Sequence, residues 1–277
     1  MRYPEDYSGA KSDQHLVELW LSGRPASTVK VYRPVAESLL EFLAPDCLQM
    51  ATVADLVRWA ESLEGKPNTL SRKVSTVKSL LSYAHKTGYT VFNVGAALLR
   101  PKTPNMLHER IVDETTIHDM MTAASEGRDK TMVRFLYASG ARNSELCKLR
   151  WKDIRGRRVT LQGKGSKNRT TLLPQSIIDE LLALRPETAA DSDSVFLTTK
   201  GNAMSPWACW YIIKQISEVV SQGLTPHWFR HAHASHTLDN GAPIHLVQRS
   251  LGHENVATTS RYLHANPNDG ASNFLNI

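Results

Sequence analysis

The sequence predicts a mainly α protein with a small β-sheet (α+β), built as a helical N-terminal domain followed by a mixed α/β C-terminal domain. Three observations predict it. Apolar residues recur at helical spacing through the first part of the chain, most cleanly at Leu70, Val74, Val77, Leu81 and Ala84. The run Arg100-Pro101-Lys102-Thr103-Pro104 then interrupts that pattern, because proline breaks a helix and biases the residue before it toward extended backbone. Beyond it, two short β-prone segments flank GKGSKN, a turn-forming stretch, before helical spacing returns.

Taken in order, Ser12 to Leu21 reads as a first helix. A second follows Ser27 or Thr28 as N-cap, with Val29, Tyr32, Val35, Leu39 and Phe42 on one face and Pro34 in its first turns, where a missing N–H is tolerated. A third covers about Val53 to Leu63. The fourth starts after Pro67-Asn68 and sets its apolar stripe against a face carrying Arg72, Lys73 and Thr76. Residues 93–107 read as an extended linker region. The expected division is a first domain at 1–100, a linker at 101–108, a second domain at 109–264 and a tail at 265–277.

In the second domain, helices at about Glu114–Ala124 and Asp129–Ala138 lead to Ser139-Gly140-Ala141-Arg142. Arg142 opens a further helix whose Leu146 and Leu149 face a core. Arg158–Gln162 and Thr170–Leu173 read as strands, with Val195–Thr199 as a third, and helices resume near Ser205.

Composition limits the class. A chain of 277 residues with 41% apolar and 22% charged residues is neither disordered nor fibrous and needs no disulfide staple. Cys47, Cys147 and Cys209 form no disulfide framework and no metal knuckle, which fits a reducing compartment. The start, MRYPEDYSGAKSD, lacks the basic-then-apolar pattern of a secretory signal, and no apolar run reaches the roughly 18 residues of a membrane span. The expectation is a cytoplasmic protein without membrane contact.

The net charge is a mild +6, but its distribution is informative. No acidic residue falls between Glu64 and Glu109, a window holding Lys66, Arg72, Lys73, Lys78, Lys86, Arg100 and Lys102. A second such window, Asp153 to Asp179, holds Arg155, Arg157, Arg158, Lys164, Lys167 and Arg169. Either alone is equally a solvated basic face; two in one chain point to a polyanionic partner.

Several residues of the second domain suit a phosphate. Arg142 stands at a helix start and Lys164 at a hairpin tip. His227 and Arg230 lie one turn apart after Thr225 as N-cap and Pro226, where unbonded N–H groups and the helix dipole favour an anion. His253 follows Leu251-Gly252, a helix stop, and Tyr262 sits on a short helix begun near Asn255. Each has a bland alternative: a surface arginine, a solvated turn lysine, a half-buried packing tyrosine. His227, His231, His233 and His236 could be drawn as a metal site. No HExxH or cysteine partner accompanies them, however, and Arg230 would repel a cation there, so no metal is expected.

The order and spacing of these residues together carry a resemblance. ASGARNSELCKLRWKDI, GKGSKNR, TPHWFRHAHASHTLDNGAPIHLVQRSLGH and TTSRY resemble the tyrosine recombinases, or phage integrase family, closest to its Xer-like, simple two-domain members. The motifs span about Phe135 to Tyr262, and the helical N-terminal region is similar to the family's core-binding domain.

The resemblance implies a site-specific DNA recombinase of bacterial or phage origin, acting at the nucleoid. Tyr262 would attack the scissile phosphate, giving a 3′-phosphotyrosyl link and a free 5′-hydroxyl. Arg142 and Arg230 would clamp the phosphate oxygens, His253 would hydrogen-bond one, and Lys164 would protonate the departing 5′ oxygen. His227 would be the base for Tyr262, with His231 and Glu145 as supporting groups behind the reacting ones. Lys66, Arg72, Lys73, Lys78, Lys102, Lys167 and Arg169 are the expected DNA contacts. The implied partners are double-stranded DNA with an inverted-repeat core site and three further copies of the chain, the tail docking on a neighbour. No metal, nucleotide or other cofactor is implied, and an accessory protein is left open. The rival readings are a type IB topoisomerase and a non-catalytic DNA-binding regulator.

Overall fold

The computed structural model describes residues 6–103, 111–163, 168–220 and 223–263. The chain falls into two units that part between residues 105 and 106.

The first unit is helical: α1 (Asp13–Leu21), α2 (Ala26–Leu43), α3 (Val53–Glu61) and α4 (Pro67–Lys86). Ser12 caps α1 by accepting the His15 N–H, and Thr52 and Asp55 form a reciprocal capping box on α3. The α4 stripe packs as the spacing requires, with Val74, Val77, Leu81 and Ala84 buried beside Leu80. Each such side chain contributes roughly 1.5–3 kcal/mol of burial.

Local details depart from expectation. Helix α2 begins at Ala26, before Ser27, so Pro34 lies in the helix interior. Its buried face is Ala36, Leu39 and Leu43, which turns Phe42 outward. Thr76 is buried on α4, its hydroxyl donating to the Arg72 carbonyl, because a short side chain that bonds its own helix loses nothing by leaving water. The expected linker is not extended at its start. A 3₁₀ turn, Val94–Ala96, packs on α4 at Gly95, where a Cβ would lie 2.9 Å from the Leu81 side chain. Residues 104–108 of the expected linker lie outside the described residues.

The second unit holds α5 (Glu114–Ala123), α6 (Arg128–Ser139) and the short α7 (Asn143–Leu146). A sheet of β1 (Ile154–Arg155), β2 (Arg158–Gln162) and β3 (Asn168–Leu172) follows, then α8 (Gln175–Ala183), α9 (Pro206–Val219), α10 (Pro226–Asp239), α11 (Ile244–Leu251) and α12 (Val256–Leu263). The sheet is antiparallel in the order β1-β2-β3, with Val159 opposite Thr171 and Leu161 opposite Arg169. The third strand is thus Ile154–Arg155, not Val195–Thr199. Val195 and Phe196 go instead into the core, and Leu197 makes only an isolated bridge to Ala203. Helix α8, an element beyond those expected, starts after Pro174 and buries Ile177, Ile178 and Leu181.

Helix α10 is the centre of this unit, in contact with α5, α6, α9, α11 and α12. From Phe229 to His236 every residue is buried. Ala232 and Ala234 are fully buried, and His233 between them bonds the Tyr137 carbonyl. Among the described residues no helix is long and apolar enough to cross a membrane.

Candidate active site

Two helix ends converge on Arg230. Gly140 closes α6 and Gly252 closes α11, both in the left-handed conformation that ends a helix and leaves its last carbonyls unbonded. The Arg230 guanidinium, 2% exposed, donates to the Gly140 and Leu251 carbonyls, each at 2.7 Å. Helix C-termini carry partial negative charge, which suits a buried cation. Burial, with Arg142 and Arg169 close by, lowers the Arg230 pKa to about 9. It stays charged at neutral pH.

Arg169 departs from its expected role as a DNA contact. Its side chain is 9% exposed, its Nη1 pairs with Glu145 Oε2 at 2.6 Å, and it donates to the Ser250 and Gly140 carbonyls. The inward side of β3 and the helix end at Ser250 enclose it, so it fixes the site from within. Lys78 likewise spends its ammonium on the Ala96 and Leu98 carbonyls. Lys66, Arg72 and Lys102 are exposed and Lys73 is half-buried. Lys164 and Lys167 lie outside the described residues, as does the tail from residue 264.

Arg142 stands at the N-terminus of α7. Glu145, 1% exposed, accepts the Arg142 backbone N–H at 2.7 Å through Oε2 and pairs with its Nη1 at 2.9 Å through Oε1. Burial pushes the Glu145 pKa up, but Arg169 and Arg142 outweigh it and hold the carboxyl below its ordinary value. The Arg142 side chain remains 44% exposed. Glu145 therefore positions one guanidinium that reaches solvent and another that does not. Two further guanidinium groups and one carboxylate shape the local field at Arg230, and with Arg230 itself the balance is net positive, suited to an anion.

Histidines and Tyr262 complete the cluster. His227, exposed in the first turn of α10, meets the His231 ring edge-on with centroids 4.5 Å apart. The His231 Nδ1 lies 2.7 Å from the Tyr262 hydroxyl, and both side chains are buried. His231, expected behind His227, lies against the hydroxyl itself. On α12, Thr259 and Tyr262 share a face, and Thr259 Oγ1 lies 2.9 Å from His253 Nδ1. Burial and then Arg230, Arg142 and Arg169 lower the His253 pKa to about 4, so its ring is neutral at physiological pH.

The remaining histidines of α10 are separately engaged. His233 Nδ1 donates to the Tyr137 carbonyl at 2.8 Å, and His236 Nδ1 meets the Tyr137 hydroxyl at 2.9 Å. The rings address different partners, and among the described residues no group of three or more metal-ligating side chains gathers.

A tyrosine hydroxyl against the helix that carries a fixed arginine, in a mostly helical unit with a small antiparallel sheet, is the arrangement of the tyrosine recombinases. The chain belongs to the phage integrase family, whose model matches residues 110–269. Tyrosine recombinase XerD of Vibrio cholerae serotype O1 is 30% identical over 282 residues, spanning 91% of this chain and 92% of that protein. The fold is also that of a lambda integrase(75-356) dimer bound to a COC′ core site, with a TM-score of 0.76 at 16% identity, covering 93% of this chain and 95% of that one. A lambda integrase tetramer bound to a Holliday junction matches with a TM-score of 0.72 at 16% identity, over 88% of this chain and 76% of that one. The chain is an enzyme of the tyrosine recombinase type, and the topoisomerase and regulator readings are not favoured.

Proposed function

We propose that this chain cuts and rejoins double-stranded DNA at a core site of inverted repeats, through a 3′-phosphotyrosyl link at Tyr262, in a homotetramer that holds two duplexes. The observation that carries this reading is the Tyr262 hydroxyl held by an imidazole on the helix that also bears Arg230. The XerD relative and the DNA-bound integrases of the same fold support it.

The chemistry is a transesterification. The Tyr262 oxygen bonds to phosphorus as the bond to the 5′ oxygen breaks, and the covalent link conserves the bond energy for rejoining. Such a reaction requires neither metal nor nucleotide. Arg142 and Arg230 neutralise the non-bridging oxygens, a task that suits planar groups charged at neutral pH and able to donate two hydrogen bonds at once. His253, with the Thr259 hydroxyl donating to Nδ1, turns an Nε2–H toward a phosphate oxygen. Lys164 supplies the proton to the departing 5′ oxygen, and the His227–His231 pair handles the proton of Tyr262. Glu145 holds Arg142. Lys66, Arg72, Lys73, Lys102 and Lys167 contact the phosphate backbone, the first four from the helical unit that serves as a DNA clamp.

The test is covalent trapping. Wild type and Tyr262→Phe are incubated with fragmented DNA of the source organism, denatured, and the protein-linked fragments sequenced. Adducts from wild type alone, joined at 3′ ends to a recurring inverted repeat, are expected. Adducts from Tyr262→Phe, or none from a wild-type protein that binds DNA, would overturn the reading. For the tail, deletion after Asn268 is expected to weaken synapsis more than single-site binding; equal loss of both argues against tail docking.

A further inference from the structure

We infer that His231, through Nδ1, is the group that takes the proton from the Tyr262 hydroxyl as the nucleophile forms. The inference rests on the recombinase reading above and deepens it, since that reading leaves open which of two imidazoles does so.

The geometry is direct. The oxygen and Nδ1 are 2.7 Å apart, the length of a strong O–H···N hydrogen bond, and the partners come from α12 and α10, 31 residues apart in sequence. His231 is 8% exposed and its ring is held between Tyr262, at 5.8 Å between centroids, and the edge of His227, at 4.5 Å. Its neighbour in sequence, Arg230, is held by two carbonyls, which anchors the helix turn that sets the imidazole. A phenol ionises near pH 10 and needs an acceptor at neutral pH, and imidazole is the side chain suited to it.

The step balances. The Tyr262 O–H bond breaks and an Nδ1–H bond forms on His231, whose ring must begin with its proton on Nε2. The phenolate oxygen bonds to phosphorus while the phosphorus–5′ oxygen bond breaks, and the departing oxygen takes its proton from a separate donor, Lys164 in the reading above. In rejoining, the 5′-hydroxyl gives its proton back to that donor as its oxygen bonds to phosphorus, the phosphotyrosyl bond breaks, and the Nδ1–H returns its proton to Tyr262. His227 stands in the first turn of α10, on the side of the phosphate.

The test uses the full chain and a synthetic duplex of the sequence that wild type captures by trapping. Asparagine in His231→Asn still accepts a hydrogen bond but holds no proton at neutral pH. This variant is expected to bind the duplex like wild type and to form the adduct at least about 100-fold more slowly. A second duplex replaces the scissile 5′ oxygen with sulfur, a leaving group that needs no proton. The His231→Asn deficit should persist on it, whereas that of Lys164→Ala should disappear. Added imidazole should restore cleavage to His231→Ala.

Wild-type rates from His231→Asn on both duplexes, or a deficit that vanishes with sulfur, overturn the inference and leave the recombinase reading standing. No capture by wild type overturns both. Should neither His231 variant fold, imidazole nitrogen spectra of Tyr262→Phe decide: a displaced His231 Nδ1 resonance is expected, and an unchanged one overturns the contact.

Discussion

The Arg230 guanidinium is bound to the Gly140 carbonyl at 2.7 Å, across 90 residues of sequence. That bond ties the end of α6 to the second turn of α10, and Arg169 reaches the same carbonyl at 3.3 Å. One backbone oxygen at a helix terminus thus orders two cations, Arg230 buried and Arg169 half-buried.

Gly140→Ala tests that oxygen. Gly140 has φ +57°, and an added Cβ would lie 2.7 Å from His233 Cδ2 and 2.9 Å from Leu251 Cδ2. Backbone strain alone costs on the order of 1–3 kcal/mol, and the contacts add to it. We expect a loss of at least about 2 kcal/mol in denaturant melts. Cleavage should fall further than stability predicts, because the carbonyl must move.

Glu145→Ala leaves Arg169 buried without its carboxylate and Arg142 without its anchor. Breaking a buried pair from one side costs roughly 3–5 kcal/mol, so the second unit should be severely destabilised. Glu145→Gln, which can still accept the Arg142 N–H, should fold better yet cleave poorly. Equilibrium unfolding beside adduct formation separates the two effects, and equal behaviour of both variants would count against the positioning role.

Arg169→Ala and Arg72→Ala should behave oppositely. The first should lower stability by several kcal/mol, since it uncouples Glu145 and two helix ends, while leaving the salt dependence of DNA binding unchanged. The second, an exposed cation, should leave the melting midpoint alone and reduce the salt slope by about one. Binding isotherms at several salt concentrations check both.

Acidification should destabilise the second unit in a definite window. Burial lowers the His233 pKa to about 4 from an ordinary 6.5, so between those values the unfolded chain binds a proton that the folded one refuses. The stability His233 confers is present above about pH 6.5 and is lost as pH falls toward 4. His253 adds a contribution of the same sign. Melts at pH 7 and pH 5 should differ more in wild type than in His233→Asn.

How far these features could be read without coordinates follows from the range of the interactions. The α4 stripe, the helix stop at Gly252 and the cap at Ser12 depend on neighbours within a turn or two, and periodicity reveals them. The order Arg142, Lys164, His227, Arg230, His253 and Tyr262 is likewise a property of the string, and it brought the family resemblance with it. Even there, local rules misjudged α2, because Pro25 rather than Ser27 or Thr28 begins it.

Other assignments needed distant chain segments to meet. Arg169 read as one more surface cation until Ser250, 81 residues on, and Glu145 closed around it. His231 read as a supporting group until α12 placed Tyr262 on its Nδ1. Residue type and spacing announce which groups a chain possesses. Which are buried, which are paired and which stay free to meet a substrate is set by long-range packing, since burial fixes both the cost of a charge and the partner that offsets it.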